Sequence, residues 1–252
     1  MTEETIFIDP TVLPWLLALL RLTAVLYSSV GHGGASGYLA AMALLSVAPA
    51  AMKPAALAMN IVVTLLVSVR LYRAGYFRWD VFWPFALTSI PMAFVGGGMQ
   101  IADPIYKYVV GMTLLTAAAR LWIKCQGPEN PCPPKMWVAM PLGAVLGFVS
   151  GLTGVGGGIF LSPLLLFLRW ATVRMTAAVS AAFIFVNSIS GLVGFAGNAP
   201  IWSMELPLLA GTVLAGAWVG SEFAVRRLAP SSLNRVLGIV LGIAGCKMFL
   251  IA

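Results

Sequence analysis

Two short clusters hold the residues best suited to chemistry. They are Gly31-His32-Gly33-Gly34, preceded by Ser28 and Ser29, and Gly154-Val155-Gly156-Gly157-Gly158, preceded by Thr153. Consecutive glycines form helix poorly and accept positive φ, so each cluster is expected to break a helix. A helix that restarts after the break leaves its first N–H groups without intrahelical partners and points the positive end of its dipole at the gap. That arrangement suits an anion. The restarts are expected near Ala35 and near Ile159. Glycine also lets the backbone approach a ligand closely, and Ser36, Thr153, Ser28 and Ser29 add hydroxyl donors. The competing explanation is close packing of helices, which also favours small residues in membranes.

His32, the one histidine of the chain, stands inside the first cluster. A neutral imidazole there can donate to an anion, and a titrating one can take up and release a proton. Alternatively, backbone carbonyls satisfy it. Asn60 and Thr64 are four residues apart and so share one helix face. In the second half Asn187 matches Thr64, with Ser180 and Ser190 nearby. The candidate binding residues are thus Gly31, His32, Gly33, Gly34 and Ser36 with Asn60 and Thr64 in the first half. In the second they are Thr153, Gly154, Gly156, Gly157 and Gly158 with Asn187.

Other chemistries find less support. Arg21, the one arginine well inside an apolar run, either attracts anions or snorkels outward. Asp80 and Glu222, like Asp103 and Glu205, fall near the ends of apolar runs, so no carboxylate relay is expected. His32, or a uniport driven by the membrane potential, is left to supply the energetics. Serines near His32 do not specify an acyl-transfer constellation, so no catalytic residue and no enzyme activity is assigned. Cys125, Cys132 and Cys246 match neither metal-ligand spacing nor a disulfide framework, so no metal and no cofactor is expected. They are not at equivalent positions of the two halves, which argues against an electron carrier. Cys125 and Cys132 share one short loop and would cross-link only if oxidised.

The elements that must position the clusters follow from composition. Of the 252 residues 60% are hydrophobic and 9% charged, too few charges to cover a water-soluble domain of this size. The expected fold is all-α, a polytopic membrane protein with five apolar segments in each half. The first half has 10–29, 37–48, 54–70, 81–99 and 105–123; the second has 136–150, 158–168, 175–196, 204–224 and 233–251. A polar, proline-rich stretch from Lys124 to Lys135 is the seam. Residues 1–124 are read as a first membrane repeat, 125–135 as a cytoplasmic linker and 136–252 as a second repeat. The acidic amino end, Met1 to Glu4, is unlike the basic start of a cleavable leader.

Laid over each other without gaps, the halves match Gly31, Gly33 and Gly34 to Gly154, Gly156 and Gly157. Met52 falls on Met175, Trp79 on Trp202, Pro84 on Pro207 and Gly97 on Gly220. The net charge of +7 sits in short connections, where it sets orientation; nucleic acid is not an expected partner. Arg70, Arg73 and Arg78, then Arg120, Lys124 and Lys135, Arg169 and Arg174, and Arg226, Arg227 and Arg235 are expected on the cytoplasmic side. The amino terminus is then outside, with Lys53 and Lys107 as exceptions. Five segments per half is odd, so the second repeat is expected inverted relative to the first, each with a glycine-broken hairpin. The segments after the breaks would rise only about 18 Å, against a bilayer core of about 30 Å. Their tips are expected near mid-membrane, where broken backbone must be buried or line a cavity.

The run Gly154-Val155-Gly156-Gly157-Gly158-Ile159-Phe160-Leu161-Ser162-Pro163-Leu164, the partial first copy Gly31-His32-Gly33-Gly34 and the duplicated helical layout resemble the sulfite exporter TauE/SafE family of anion transporters. The first copy departs from the pattern, since Ala35 and Ser36 follow Gly34 and no proline matches Pro163. The resemblance implies a secondary transporter that moves sulfite, thiosulfate or an organosulfonate across the cell inner membrane. The alternative on the same fold is an anion channel or a transporter of small carboxylates.

Overall fold

The computed structural model describes residues 11–122, 128–196, 205–226 and 231–250. Met1 to Glu4, Lys124, Cys125 with its cross-link to Cys132, Trp202 as the match of Trp79, and Arg227 lie outside them. Among the described residues the chain forms ten α-helices and no strand. The first half has α1 (Leu13–Ser29), α2 (Ala35–Leu44), α3 (Pro49–Arg73), α4 (Trp79–Gly98) and α5 (Asp103–Trp122). The second has α6 (Met136–Thr153), α7 (Gly158–Phe167), α8 (Val173–Ala196), α9 (Leu206–Arg226) and α10 (Ser231–Leu250). Each coincides with an apolar segment expected from the sequence.

Five of the helices, α3, α4, α6, α8 and α9, are long and apolar enough to cross a bilayer. Leu22, Val145, Trp218 and Ile243 are each more than half exposed, and a surface of this kind needs lipid as its solvent. Helices α2 and α7 have ten residues each, rising about 15 Å, half of a bilayer core.

These two short helices begin and end alike. Each starts after a left-handed glycine, Gly34 (φ 92°) or Gly157 (φ 73°). Each ends in a turn through a non-glycine residue of positive φ, Ser46 (58°) or Arg169 (59°). The closing bonds run from Val47 N–H to the Met42 carbonyl at 2.9 Å and from Trp170 N–H to the Leu165 carbonyl at 2.8 Å. Positive φ is uncommon outside glycine. It recurs at positions that match in the half-to-half overlay, where neither residue is a glycine.

Packing joins the halves throughout. α4 lies along α6 and α9 along α1, while α3 packs on α8 and α5 on α10. Small residues permit the approach, since lipid supplies no hydrophobic drive between helices. Gly97 of α4 lies against the Gly191 backbone, and its match Gly220 of α9 lies against the Val25 carbonyl.

One basic residue departs from the sequence reading. Lys53, expected in a connection on the outer side, lies inside α3 and is only 6% exposed. Its ammonium donates to the carbonyls of Gly96 (3.2 Å), Gly97 (2.7 Å) and Met99 (3.4 Å) and stands 5.5 Å over the Phe195 ring. The carboxyl end of α4 leaves carbonyls without N–H partners and carries the negative end of its dipole, so a cation is held there. The proline at the start of α3 lets that helix begin one turn earlier than Pro54 suggested, which places Lys53 within reach.

Candidate functional site

Each glycine cluster closes as a tight turn between two helices. In the first, Gly31 N–H donates to the Ser28 carbonyl (3.1 Å) and His32 N–H to the Tyr27 carbonyl (2.9 Å). In the second, Gly154 N–H donates to the Ser150 carbonyl (2.9 Å) and Val155 N–H to Thr153 Oγ1 (3.3 Å). Gly31 and Gly154 share a positive φ of 80° and 82°. Beyond these turns the N–H groups of Gly33, Gly34 and Ala35, and of Gly156, Gly157 and Gly158, make no hydrogen bond among the described residues. They are the free donors that helix starts leave.

The tips lean on the opposite half. Gly31 touches Ala177 of α8, and Gly154 faces the Lys53 backbone of α3, with 3.2 Å between a methyl on Gly154 and the Lys53 carbonyl oxygen. Asn60 stands between them. A methyl on Gly33 would lie 2.7 Å from Asn60 Oδ1 and 2.5 Å from Thr64 Cγ2; one on Gly156 would lie 2.8 Å from Asn60 Nδ2. Ile184 of α8 touches both tips as well, its Cγ2 3.2 Å from the Gly33 methyl position and 2.6 Å from that of Gly156. The tips therefore meet around one carboxamide and one aliphatic side chain, with no room for a Cβ at either glycine.

The hydroxyls counted from sequence as ligand donors have other partners. Ser28 donates to the Ala24 carbonyl (2.6 Å), Ser29 to Leu26 (2.7 Å), Thr64 to Asn60 (2.6 Å) and Thr153 to Val149 (2.7 Å). Ser36 donates to the Tyr27 hydroxyl at 2.8 Å. Apolar surroundings turn a serine or threonine back onto its own helix. Thr64 thus offers the first tip its methyl.

Asn60 and Asn187 are fully buried. Asn60 Nδ2 reaches Ser188 Oγ at 3.4 Å, and Asn187 Nδ2 donates to the Phe183 carbonyl at 2.9 Å. Neither Oδ1 has a donor. Arg21 is exposed, the outward arrangement. Ser190 donates to the Ile90 carbonyl of α4 at 2.5 Å.

His32 links the halves. Its Nδ1 lies 3.1 Å from the Val30 carbonyl and its Nε2 2.7 Å from Ser162 Oγ of α7. A carbonyl only accepts, so Nδ1 donates to Val30. Ser162 Oγ also lies 2.9 Å from the Gly158 carbonyl and 2.9 Å from Ser180 Oγ. Sequence reasoning missed Ser162 and Ile184 as neighbours of the site. Ser162 stood inside the quoted motif, whereas Ile184 had no signal beyond hydrophobicity.

Ten helices with an apolar exterior and two broken hairpins meeting inside describe a multi-pass membrane protein, and the relatives supply its class. A "Probable membrane transporter protein y4hK" of Sinorhizobium fredii is 35% identical over 230 residues, 89% of this chain and 93% of its own length. The "Probable membrane transporter protein YjnA" of Bacillus subtilis is 25% identical over 186 residues, 65% of this chain and 70% of its own. The chain is a membrane transporter. It belongs to the sulfite exporter TauE/SafE family, whose model matches residues 16–248. No solved structure matches it.

Proposed function

We propose that the chain is a secondary transporter that binds a small sulfur-containing anion, such as sulfite, thiosulfate or an organosulfonate, between its two glycine tips. The observation that carries this reading is the meeting of two sets of free backbone N–H groups around Asn60, at the positive ends of α2 and α7. Such donors, aimed at one place in a low-dielectric interior, favour negative charge without a fixed cation. The family description supplies the sulfur chemistry.

An inverted repeat of five helices per half fits the same picture, because the pairs α1 with α9 and α6 with α4 exchange under the overlay. Orientation with the seam in the cytoplasm and the amino terminus outside is supported by the basic connections lying together. Arg70 at the end of α3 donates to the Trp218 carbonyl (2.9 Å) and Ser221 Oγ (2.8 Å) of α9. Arg174 at the start of α8 donates to the Tyr76 hydroxyl (2.5 Å) in the α3–α4 connection. The aromatic group of Phe77, Trp79 and Trp83 beside Arg78 suits a membrane interface. In this reading the energetics come from His32, which bridges the halves at Ser162, or from a uniport driven by the membrane potential.

Thermal unfolding of the purified protein with sulfite, thiosulfate, small sulfonates, sulfate and acetate tests the assignment. A ligand at a hundred times its Kd adds about 2.7 kcal/mol to stability. Selective stabilisation by one sulfur anion, followed by its uptake and counterflow in proteoliposomes, is the expected result. Equal stabilisation by acetate, or none by any sulfur anion, would sink it.

A further inference from the structure

Free N–H groups explain why an anion is held, and they leave two buried oxygens unexplained. Asn60 Oδ1 has no donor, and it is the atom of that carboxamide that faces the first tip. Asn187 Oδ1 also has no donor. Its orientation is fixed by chemistry: Nδ2 is held by the Phe183 carbonyl, which can only accept, so the oxygen is the atom left to face outward from that bond. Asn187 lies three residues beyond Ile184, the side chain that touches both tips, and so shares its helix face.

A buried acceptor without a donor is destabilising, and native proteins rarely keep one without a use. An anion that carries no hydrogen makes matters worse, because it places negative charge beside the negative ends of two amide dipoles. A ligand with an anionic group for the N–H donors and an O–H or N–H of its own for the amide oxygens satisfies every group. We infer that the transported anion bears its own hydrogen-bond donor, and that Asn60 and Asn187 select it by accepting from that donor. The substrate class is a hydroxyl- or ammonium-bearing small sulfonate, or a singly protonated sulfur oxyanion. A cation on the same oxygens is disfavoured by the positive helix ends that converge there.

This inference rests on the anion reading, and the test separates the two. Binding of 2-hydroxyethanesulfonate and propane-1-sulfonate, equal in size and differing by a hydroxyl for a methyl, is measured by calorimetry on the full-length protein. It is done in sodium buffer and again in choline buffer. The expected result is a preference for the hydroxyl compound on the order of a hundredfold, since a site built to bond a hydroxyl strongly rejects the analogue without one. Asn187→Leu should shrink that preference by weakening the hydroxyl compound and strengthening the methyl one. Equal affinities in the unaltered protein would overturn the inference and leave the anion reading standing. Equal affinities that both require sodium would also overturn it, assigning the oxygens to a cation. Binding of neither sulfonate, nor of any anion of the thermal panel, would overturn both.

Discussion

The first and second tips share a backbone path and differ in the polar side chains beside it. His32 in the first is matched by Val155 in the second, so the first sends a hydrogen-bonding side chain across to the other half, onto Ser162, where the second has an apolar one. Lys53, against which the second tip packs, is matched by Thr176, whose hydroxyl has no partner. The two tips thus share their free peptide N–H groups and differ in the side chains around them. On the proposed function the same recognition is needed from both tips, whereas the two approaches to the site need not be chemically equal.

The steepest contrast should come from the two glycines of matched φ. Gly31→Ala and Gly154→Ala both force a left-handed alanine, worth about 1–2 kcal/mol. Only Gly31 has Ala177 in the way, which adds about 1–3 kcal/mol of overpacking. Thermal unfolding should therefore show a markedly larger loss for Gly31→Ala, and equal losses would show that Ala177 yields to the new methyl without cost. Next comes the matched pair beside the second tip. Lys53→Met strips a charged donor from the buried end of α4 and should lower stability by about 1.5–3 kcal/mol. Thr176→Val removes a hydroxyl without a partner and should leave stability unchanged or slightly raised.

A third test concerns the place where the tips meet. Gly156→Ala pushes against Ile184 Cγ2 and should weaken anion binding at least about tenfold. Ile184→Ala in the same chain should recover part of it, with a coupling of about 0.5–3 kcal/mol. Strict additivity would show that Ile184 does not fill the site. A smaller loss is expected at the link between halves: Ser162→Ala removes one partner of His32 and should cost about 1 kcal/mol in the same melting experiment.

What the sequence disclosed and what it concealed divide along a physical line. Helix ends at Ser29, Ala35, Gly158 and Ala196 were readable because glycine clusters and apolar runs act locally. The restart of α2 at Ala35 needs only the αL glycine before it. Lys53 was misplaced because its role depends on the carbonyls of a helix some forty residues away, and no local pattern encodes that. Ile184 was invisible for a similar reason: an isoleucine in an apolar helix looks the same whether it meets lipid or a glycine tip. The serines and threonines near the tips were counted as ligand donors from type alone, yet a hydroxyl on a helix in apolar surroundings usually turns to its own carbonyl, as Thr64 and Thr153 do.

Peptide N–H groups at the tips also shape what genetics can see. No codon change deletes the hydrogen-bond donor of Gly34 or Gly157, except one to proline, so the usual search for a lost functional group has nothing to remove. A saturation screen for transport should instead return gains of volume at Gly33 and Gly158, graded by side-chain size, while at Gly34 and Gly157 the positive φ should favour Asn and Asp over apolar residues of equal bulk. Sensitivity to ligand chemistry would be confined to the few side chains, Asn60 and Asn187 foremost, that meet the ligand from outside the tips. A mutational map of this molecule would thus read as a record of space at its centre and of composition only at the margin.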